Sequence, residues 1–66
     1  MKIEIDKKSD AAYIRLTDGL PFESEEVESG IVLDYNEAGE VIAIELLAVS
    51  KHLPLSTLAS VEVVTA

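Results

Sequence analysis

The N-terminal part of the chain alternates hydrophobic and polar positions, a spacing typical of half-buried β-strands. Residues 2–6 alternate isoleucines with charged side chains, and the alternation resumes over residues 11–17 after a polar turn at residues 7–10. The turn is short enough to join both segments in an antiparallel hairpin. Residues 18–21, Asp-Gly-Leu-Pro, predict another turn because Gly and Pro both favour turns.

The stretch from residue 30 to residue 47 predicts a second hairpin. Two alternating segments rich in β-branched residues flank the polar loop 36–40, where Gly39 suits the positive φ that hairpin loops often need. Each strand also carries one acidic residue, Asp34 or Glu45, among apolar neighbours. An antiparallel sheet is therefore the expected centre of the fold.

Two further segments complete the predicted architecture. Residues 22–29 carry four glutamates around Val27, which predicts an edge strand or an extended connection, since charge protects an exposed edge from aggregation. Pro54 suits the first turn of a helix, whereas the composition of residues 61–65 is strand-like. We predict an α+β fold: a small antiparallel β-meander sheet of four to five strands with a short C-terminal helix or extended tail.

The alternation divides the predicted sheet into two faces. The core face, which we expect the C-terminal segment to cover, collects Ile3, Ile5, Ala12, Ile14, Leu16, Ile31, Leu33, Tyr35, Ile42, Ile44 and Leu46. The outer face collects Tyr13, Arg15, Val32, Asp34, Val41, Ala43, Glu45 and Leu47. The outer face is too apolar for a purely solvated surface, so it is a candidate interface.

The length of the chain, 66 residues, indicates a single domain, residues 1–66, with a marginal core. Such a domain buries only about 60% of the surface that its unfolded form exposes, so small domains often gain stability from disulfides, metal ions or partners. The chain has no Cys, and His52 is its one histidine, which excludes disulfides, thiolate zinc sites and histidine clusters. We expect no cofactor and an association with itself or with another protein.

The charge of the chain is strongly acidic: thirteen Asp and Glu against five Lys and Arg give a formal net charge of −8. The few scattered cations argue against direct nucleic-acid binding, whereas acidity keeps a chain soluble and attracts basic partners. No apolar run approaches the roughly 20 residues of a membrane span, and the alternating N-terminus differs from a signal peptide. We expect a cytoplasmic bacterial protein that does not contact membranes.

Three segments carry a family resemblance: residues 10–16 (DAAYIRL), 30–36 (GIVLDYN) and 42–47 (IAIELL). Together they resemble the small prokaryotic family known as domain of unknown function 2283. The resemblance covers about residues 2–50, the family-like core, and leaves the C-terminal helix or tail, residues 51–66, outside it. It implies a small β-rich domain without an established reaction, and it suggests partnership with small toxin-like proteins.

The sequence departs from the family pattern at two positions. Ala43 stands where a Gly is common, which puts a close backbone approach there in doubt. Asn36 stands where an acid is common, which removes one possible cation ligand. The remaining loop oxygens do not follow the spacing of an EF-hand, and a turn that prefers Asn and Gly explains them equally well. We expect no metal site.

The predicted register brings Tyr13, Arg15, Asp34 and Glu45 onto the outer face. A cross-strand ion pair from Arg15 to either acid would contribute about 0.2–1 kcal/mol if exposed. The cluster is consistent with a salt-bridged surface, with an interface, or with a catalytic carboxylate pair. The last requires a cleft, which a flat sheet does not favour.

These observations favour a non-enzymatic protein-interaction module without catalytic residues, in its sharper form an antitoxin-like partner of a small basic protein. The interface candidates are Tyr13, Arg15, Val32, Asp34, Val41, Glu45 and Leu47. The acidic patch expected to attract the partner is Glu23, Glu25, Glu26 and Glu28. The alternatives are a self-assembling homodimeric structural domain that uses the outer face, and a small-molecule or cation-binding enzyme fragment that uses Asp34 and Glu45.

Overall fold

A computed structural model describes the backbone of residues 1–66, with side chains for residues 1–54 and 56–66. Its elements are β1 (Lys2–Asp6), β2 (Ala11–Arg15), β3 (Glu23–Glu28), β4 (Ile31–Tyr35), β5 (Val41–Leu47), a 3-10 turn (Val49–Lys51) and α1 (Leu55–Leu58). The strands form one five-stranded antiparallel sheet in the order β1-β2-β5-β4-β3. The protein is therefore mostly β, and its single α-helical turn makes α+β a loose description.

Both predicted hairpins, β1–β2 and β4–β5, are confirmed, and β3 is an edge strand as expected. The prediction of a simple meander is wrong, because the chain crosses after β2 to the far edge of the sheet and returns through β4 to β5. Strand composition explains the order. The seven residues of β5 include one charged side chain and take the centre, while the charged strands β1 and β3 take the edges.

The crossing segment, residues 16–22, is tied by hydrogen bonds to the strands that it passes. The Leu16 N–H donates to the Ile42 carbonyl at 2.9 Å, and the Phe22 N–H donates to the Tyr35 carbonyl at 2.7 Å. These bonds hold the crossing segment against one end of β5 and β4. The chain then enters β3 at the edge of the sheet.

The strand register confirms the predicted division into faces over most of the sheet. One row across the core face is Ile3, Ile14, Ile44 and Leu33, and the next is Ile5, Ala12, Leu46 and Ile31. A β-bulge between Asp34 and Tyr35 changes the pattern at the loop end, where Val41 pairs with Tyr35. The alternation placed these two residues on opposite faces; the extra residue in β5 brings them together.

The start of the C-terminal segment is tied by hydrogen bonds to the turn between β1 and β2. Val49 is 1% exposed and its N–H donates to the Asp10 carbonyl at 2.9 Å, while the Asp10 carboxylate accepts hydrogen bonds from the Ser50 N–H and hydroxyl. The helix α1 makes one turn, and residues 60–66 have no regular structure, so helix and tail occur together. No helix in the described part of the chain has the length and hydropathy to cross a membrane.

Candidate functional site

The outer face of the sheet carries a continuous row of side chains across all five strands. Each member pairs with the next in the strand register, so the period of two in every strand brings them to the same face. In strand order β1, β2, β5, β4 and β3 the row, called here the acidic row, is Glu4, Tyr13, Glu45, Val32 and Glu26.

The neighbouring row on the same face is built around a buried acid. It consists of Lys2, Arg15, Ala43, Asp34 and Ser24. Asp34 is 3% exposed, and its carboxylate accepts a hydrogen bond from the Ser24 hydroxyl at 2.6 Å. Ala43, between Asp34 and Arg15, is fully buried. This hydrogen bond offsets part of the cost of removing the carboxylate from water.

Glu45 and Tyr13 are electrostatically linked to the buried acid. Burial raises the pKa of Glu45, and hydrogen bonding and charge repulsion from Asp34 raise it further. Burial likewise raises the pKa of Tyr13, with Asp34 as the next cause. Both shifts favour the protonated side chain next to a carboxylate, which is the expected response of acids that share a partly dehydrated site.

Arg15 does not form the ion pair that the sequence predicted with Asp34 or Glu45. Its guanidinium donates instead to the Gly19 carbonyl in the crossing segment. The one salt bridge among the described side chains joins Lys2 and Glu4 at 2.9 Å, and both are well exposed. In this outer-face site Glu4 is therefore paired with Lys2, whereas Glu45 and Asp34 have no cationic partner among the described side chains.

The other predicted interface residues lie at the margins of this cluster. Val32 is in the acidic row, whereas Leu47 pairs with Ala11 at the opposite end of β5 from the loop and is 37% exposed. Val41 is displaced from the outer-face pattern by the β-bulge and is 36% exposed. Tyr13, Asp34, Glu45 and Val32 are therefore brought together, and Val41 and Leu47 are not.

The glutamates of β3 do not form a patch on one face. Glu23 and Glu25 pair with Tyr35 and Leu33, which belong to the core face, while Glu26 pairs with Val32 on the outer face. A second register shift separates Glu28, which pairs with Ile31. All four are exposed along a sheet edge, so negative charge lies on both faces of the sheet at that edge.

One of the two acids in the β4–β5 loop, Glu40, takes part in closing the turn. The Asn36 side-chain amide donates to the Glu40 carboxylate at 3.0 Å, and the Glu40 N–H donates to the Asn36 side-chain oxygen at 2.9 Å. In the described part of the chain, no group of three or more His, Cys, Asp or Glu side chains is arranged to hold a metal ion.

Sequence reasoning missed three members of the two outer-face rows. Ser24 stands among the glutamates of β3, and Lys2 and Glu4 were taken only as charges of an alternating strand. Their roles follow from which strands are neighbours, and no local signal reveals that. Tyr13 and Glu45 also line an open surface depression with Glu4 and Asp6. Chemically, the face offers carboxylates and a phenol to a cationic group.

Residues 2–50 match the model of a family described as "Protein of unknown function (DUF2283)". The match spans the whole sheet and ends at Ser50, the residue that Asp10 binds. None of the curated proteins matches the chain, and no solved structure does. The resemblance inferred from the sequence is confirmed.

Proposed function

The chain belongs to the DUF2283 family, and we propose that it is a non-enzymatic protein-interaction module whose outer face binds a small basic protein. The observation that carries this proposal is the acidic row: Glu4, Tyr13, Glu45, Val32 and Glu26 in register across five strands. A flat row of this kind is suited to a partner surface.

The chemistry of the acidic row favours cationic side chains. Five strands spaced by about 4.8 Å give a row about 19 Å long, which spans several residues of a partner. Its three carboxylates accept charge-assisted hydrogen bonds from Arg and Lys, and Tyr13 offers an aromatic face to a guanidinium. The row itself contains no cation, and its one intramolecular ion pair among the described side chains, Lys2 with Glu4, is exposed and therefore weak enough for a partner to displace.

The net charge and the sheet edge support the same class of partner. A net charge of −8 attracts basic proteins over a distance of about one Debye length, roughly 8 Å at physiological salt. The glutamates of β3 extend this field along the edge next to the acidic row, so they assist association while Tyr13 and Val32 supply the apolar contact.

In its sharper form, the module is an antitoxin-like component that neutralises its basic partner. This form is supported by the acidity of the chain and by a surface that fits a cationic protein better than a small substrate. It predicts that the partner, expressed alone, impairs growth and that co-expression of this chain restores it.

The proposal is tested by immobilising the tagged chain, passing lysate of the source organism over it and identifying what remains bound. The test variant is Glu4→Gln with Glu26→Gln, which removes two charges from the acidic row. The matched control is Glu37→Gln with Glu62→Gln, which removes two charges from exposed positions off the row. We expect the chain to retain a basic protein in stoichiometric amount, and we expect high salt to elute it. The control variant should retain the same protein, and the test variant should not.

Two outcomes contradict the proposal: a chain that retains no cellular protein at physiological salt, or a partner that both double variants retain equally. If a basic protein is found and proves harmless when expressed alone, the antitoxin-like form is wrong, while the interaction module stands.

A further inference from the structure

A cavity of about 260 Å³ lies at the end of the sheet where β5 meets the C-terminal segment. The turn between β3 and β4 bounds it on one side, and residues 49–53 bound it on the other. The exposed His52 and Ser29 contribute polar atoms. Its apolar walls are formed by Ile31, Leu46, Leu47, Val49 and Leu53. Packing between side chains rarely leaves a void larger than a water molecule, so this cavity has room for a separate molecule.

Hydrogen bonds fix both sides of the cavity before any ligand binds. On one side, the His52 N–H and the Leu53 N–H donate to the Val49 carbonyl at 3.0 Å and 2.8 Å. On the other side, the Leu47 N–H donates to the Gly30 carbonyl at 2.8 Å. Val49 is itself 1% exposed and anchors its side to the sheet. Ligand cavities in proteins are usually formed in advance in this way, because a ligand that need not order its site binds more tightly.

Gly30 keeps the space between the start of β4 and the imidazole ring open. Its φ is +82°, a backbone conformation that favours glycine. A Cβ at this position would lie 3.1 Å from the Leu47 carbonyl oxygen and 3.9 Å from His52 Nε2. The cavity therefore borders a position at which any side chain would strain the backbone and take up space beside the histidine.

We propose that this cavity binds a small, neutral aromatic molecule of about two fused rings, with its one polar group at His52. Apolar walls make the burial of a charged group costly, and the net charge of −8 repels anions in addition. An apolar cavity of about 150 Å³ holds benzene, so a cavity of about 260 Å³ holds about two rings. A rigid ring system also loses less conformational freedom on binding than a flexible chain of the same volume.

His52 is suited to recognise the polar group of the ligand. It is the one histidine of the chain, and its ring makes no hydrogen bond with the described side chains or backbone. A neutral imidazole offers one donor and one acceptor, so it can bind a hydroxyl or a ring N–H. A few polar groups in an otherwise apolar site fix the orientation of a ligand. Since the family match ends at residue 50, this polar contact lies outside the part of the chain that matches the family.

The cavity is separate from the surface proposed for the basic protein. None of the residues of the acidic row lines it, and the cavity lies at the end of β5 opposite the β4–β5 loop. Binding of a neutral ligand here is insensitive to salt, whereas salt weakens the attraction between the acidic row and a basic protein. The two proposals can therefore fail independently.

The experiment is isothermal titration calorimetry of the purified full chain with 2-naphthol, a neutral two-ring molecule with one hydroxyl. The test variant is Leu53→Trp, which fills the cavity from one wall. The matched control is Leu20→Trp, which adds the same side chain at a position that is 85% exposed and does not line the cavity. We expect saturable binding of one molecule per chain in the original protein and in Leu20→Trp. Binding should be weaker by about tenfold or more in Leu53→Trp, because the larger side chain takes the space that the ligand needs.

A second variant tests the polar contact. His52→Phe keeps a ring of similar size and removes the hydrogen bond, so it should weaken 2-naphthol binding by about threefold to tenfold. Binding as tight in His52→Phe as in the original chain overturns the role assigned to the histidine.

Amide chemical shifts of the original chain give a readout that does not depend on Leu53→Trp folding. Addition of 2-naphthol should move the signals of residues 29–31, 46–49, 52 and 53, and it should leave those of Glu4 and Glu26 in the acidic row unchanged. The absence of saturable binding overturns the proposal. Equal binding in Leu53→Trp and Leu20→Trp, or shifts confined to other residues, overturns it as well.

Discussion

At the scale of single residues, Ala48 occupies a backbone conformation that L-residues other than Gly, Asn and Asp rarely adopt. Its φ of 50° and ψ of 46° place it in the left-handed region, just before the 3-10 turn. This conformation costs a residue with a Cβ about 1–2 kcal/mol. It also turns the chain so that the Val49 N–H reaches the Asp10 carbonyl.

We predict that Ala48→Gly stabilises the protein by about 0.5 kcal/mol, because the relief of strain exceeds the added entropy of the unfolded chain. Urea unfolding measures the change as a higher midpoint. The control is Ala38→Gly, at an exposed loop position without positive φ, which should be neutral or destabilising. An equal rise in both variants would show that backbone strain at Ala48 is not the cause.

For Asp34, the sequence predicted the face of the sheet on which the residue lies, but not its burial or its hydrogen-bond partner. The alternation put an acid on the outer face of an apolar strand, and the structure confirms that position. Its burial and its Ser24 partner depend on β3 lying beside β4. The Arg15 ion pair was wrong for a related reason, since the crossing segment brings the Gly19 carbonyl to the guanidinium.

At the scale of elements, the loop between β4 and β5 is closed by reciprocal hydrogen bonds between Asn36 and Glu40. We predict that Asn36→Asp destabilises the protein by about 0.5 kcal/mol at neutral pH, because it replaces the amide donor with a second carboxylate. The double variant Asn36→Asp with Glu40→Gln restores a donor facing an acceptor and should recover most of the loss.

Thermal unfolding of the two variants and the original chain at neutral pH checks this prediction. A double variant less stable than the single variant would contradict the proposed exchange of donor and acceptor.

The elements that sequence alone could identify are those specified by neighbouring residues. Alternation over residues 2–6 and 11–17, with a short turn between them, specifies a hairpin locally, and the β4–β5 hairpin follows from the same signals. The insertion of β5 between β2 and β4 depends on competition among strands for the centre of the sheet. The bulge that moves Val41 depends on how the loop closes. Neither is encoded in a local pattern.

At the scale of the whole molecule, Glu45 links stability to pH. Its pKa is raised above the ordinary value of 4.5 by burial and then by Asp34, so the folded chain holds this proton more tightly than the unfolded chain. Its contribution to stability is complete below pH 4.5 and is lost as the pH rises through the raised pKa. Tyr13 acts with the same sign above its ordinary value of 10.0.

Asp6 has the opposite sign and a separate pH range. Hydrogen bonds from Ser9 and then from the Lys8 N–H lower its pKa below 3.8, so its contribution is present above that value and is lost in stronger acid. Between pH 4.5 and neutrality, Glu45 is therefore the shifted acid expected to reduce stability as the pH rises.

We predict that Glu45→Gln removes this loss, because the neutral amide keeps the shape of the side chain without repelling Asp34. The variant should be more stable than the original chain at pH 7 by about 0.5 kcal/mol, and the two should converge below pH 4.5. Urea unfolding across this range measures the difference, with Glu37→Gln in the exposed loop as the control for net charge. Parallel stability curves for Glu45→Gln and the original chain would mean that Glu45 and Asp34 do not compete for a proton. If the two acids are coupled, the difference in unfolding free energy between Glu45→Gln and the original chain appears only above the ordinary pKa of a glutamate. Protonation within the acidic row then makes the stability of the fold depend on pH.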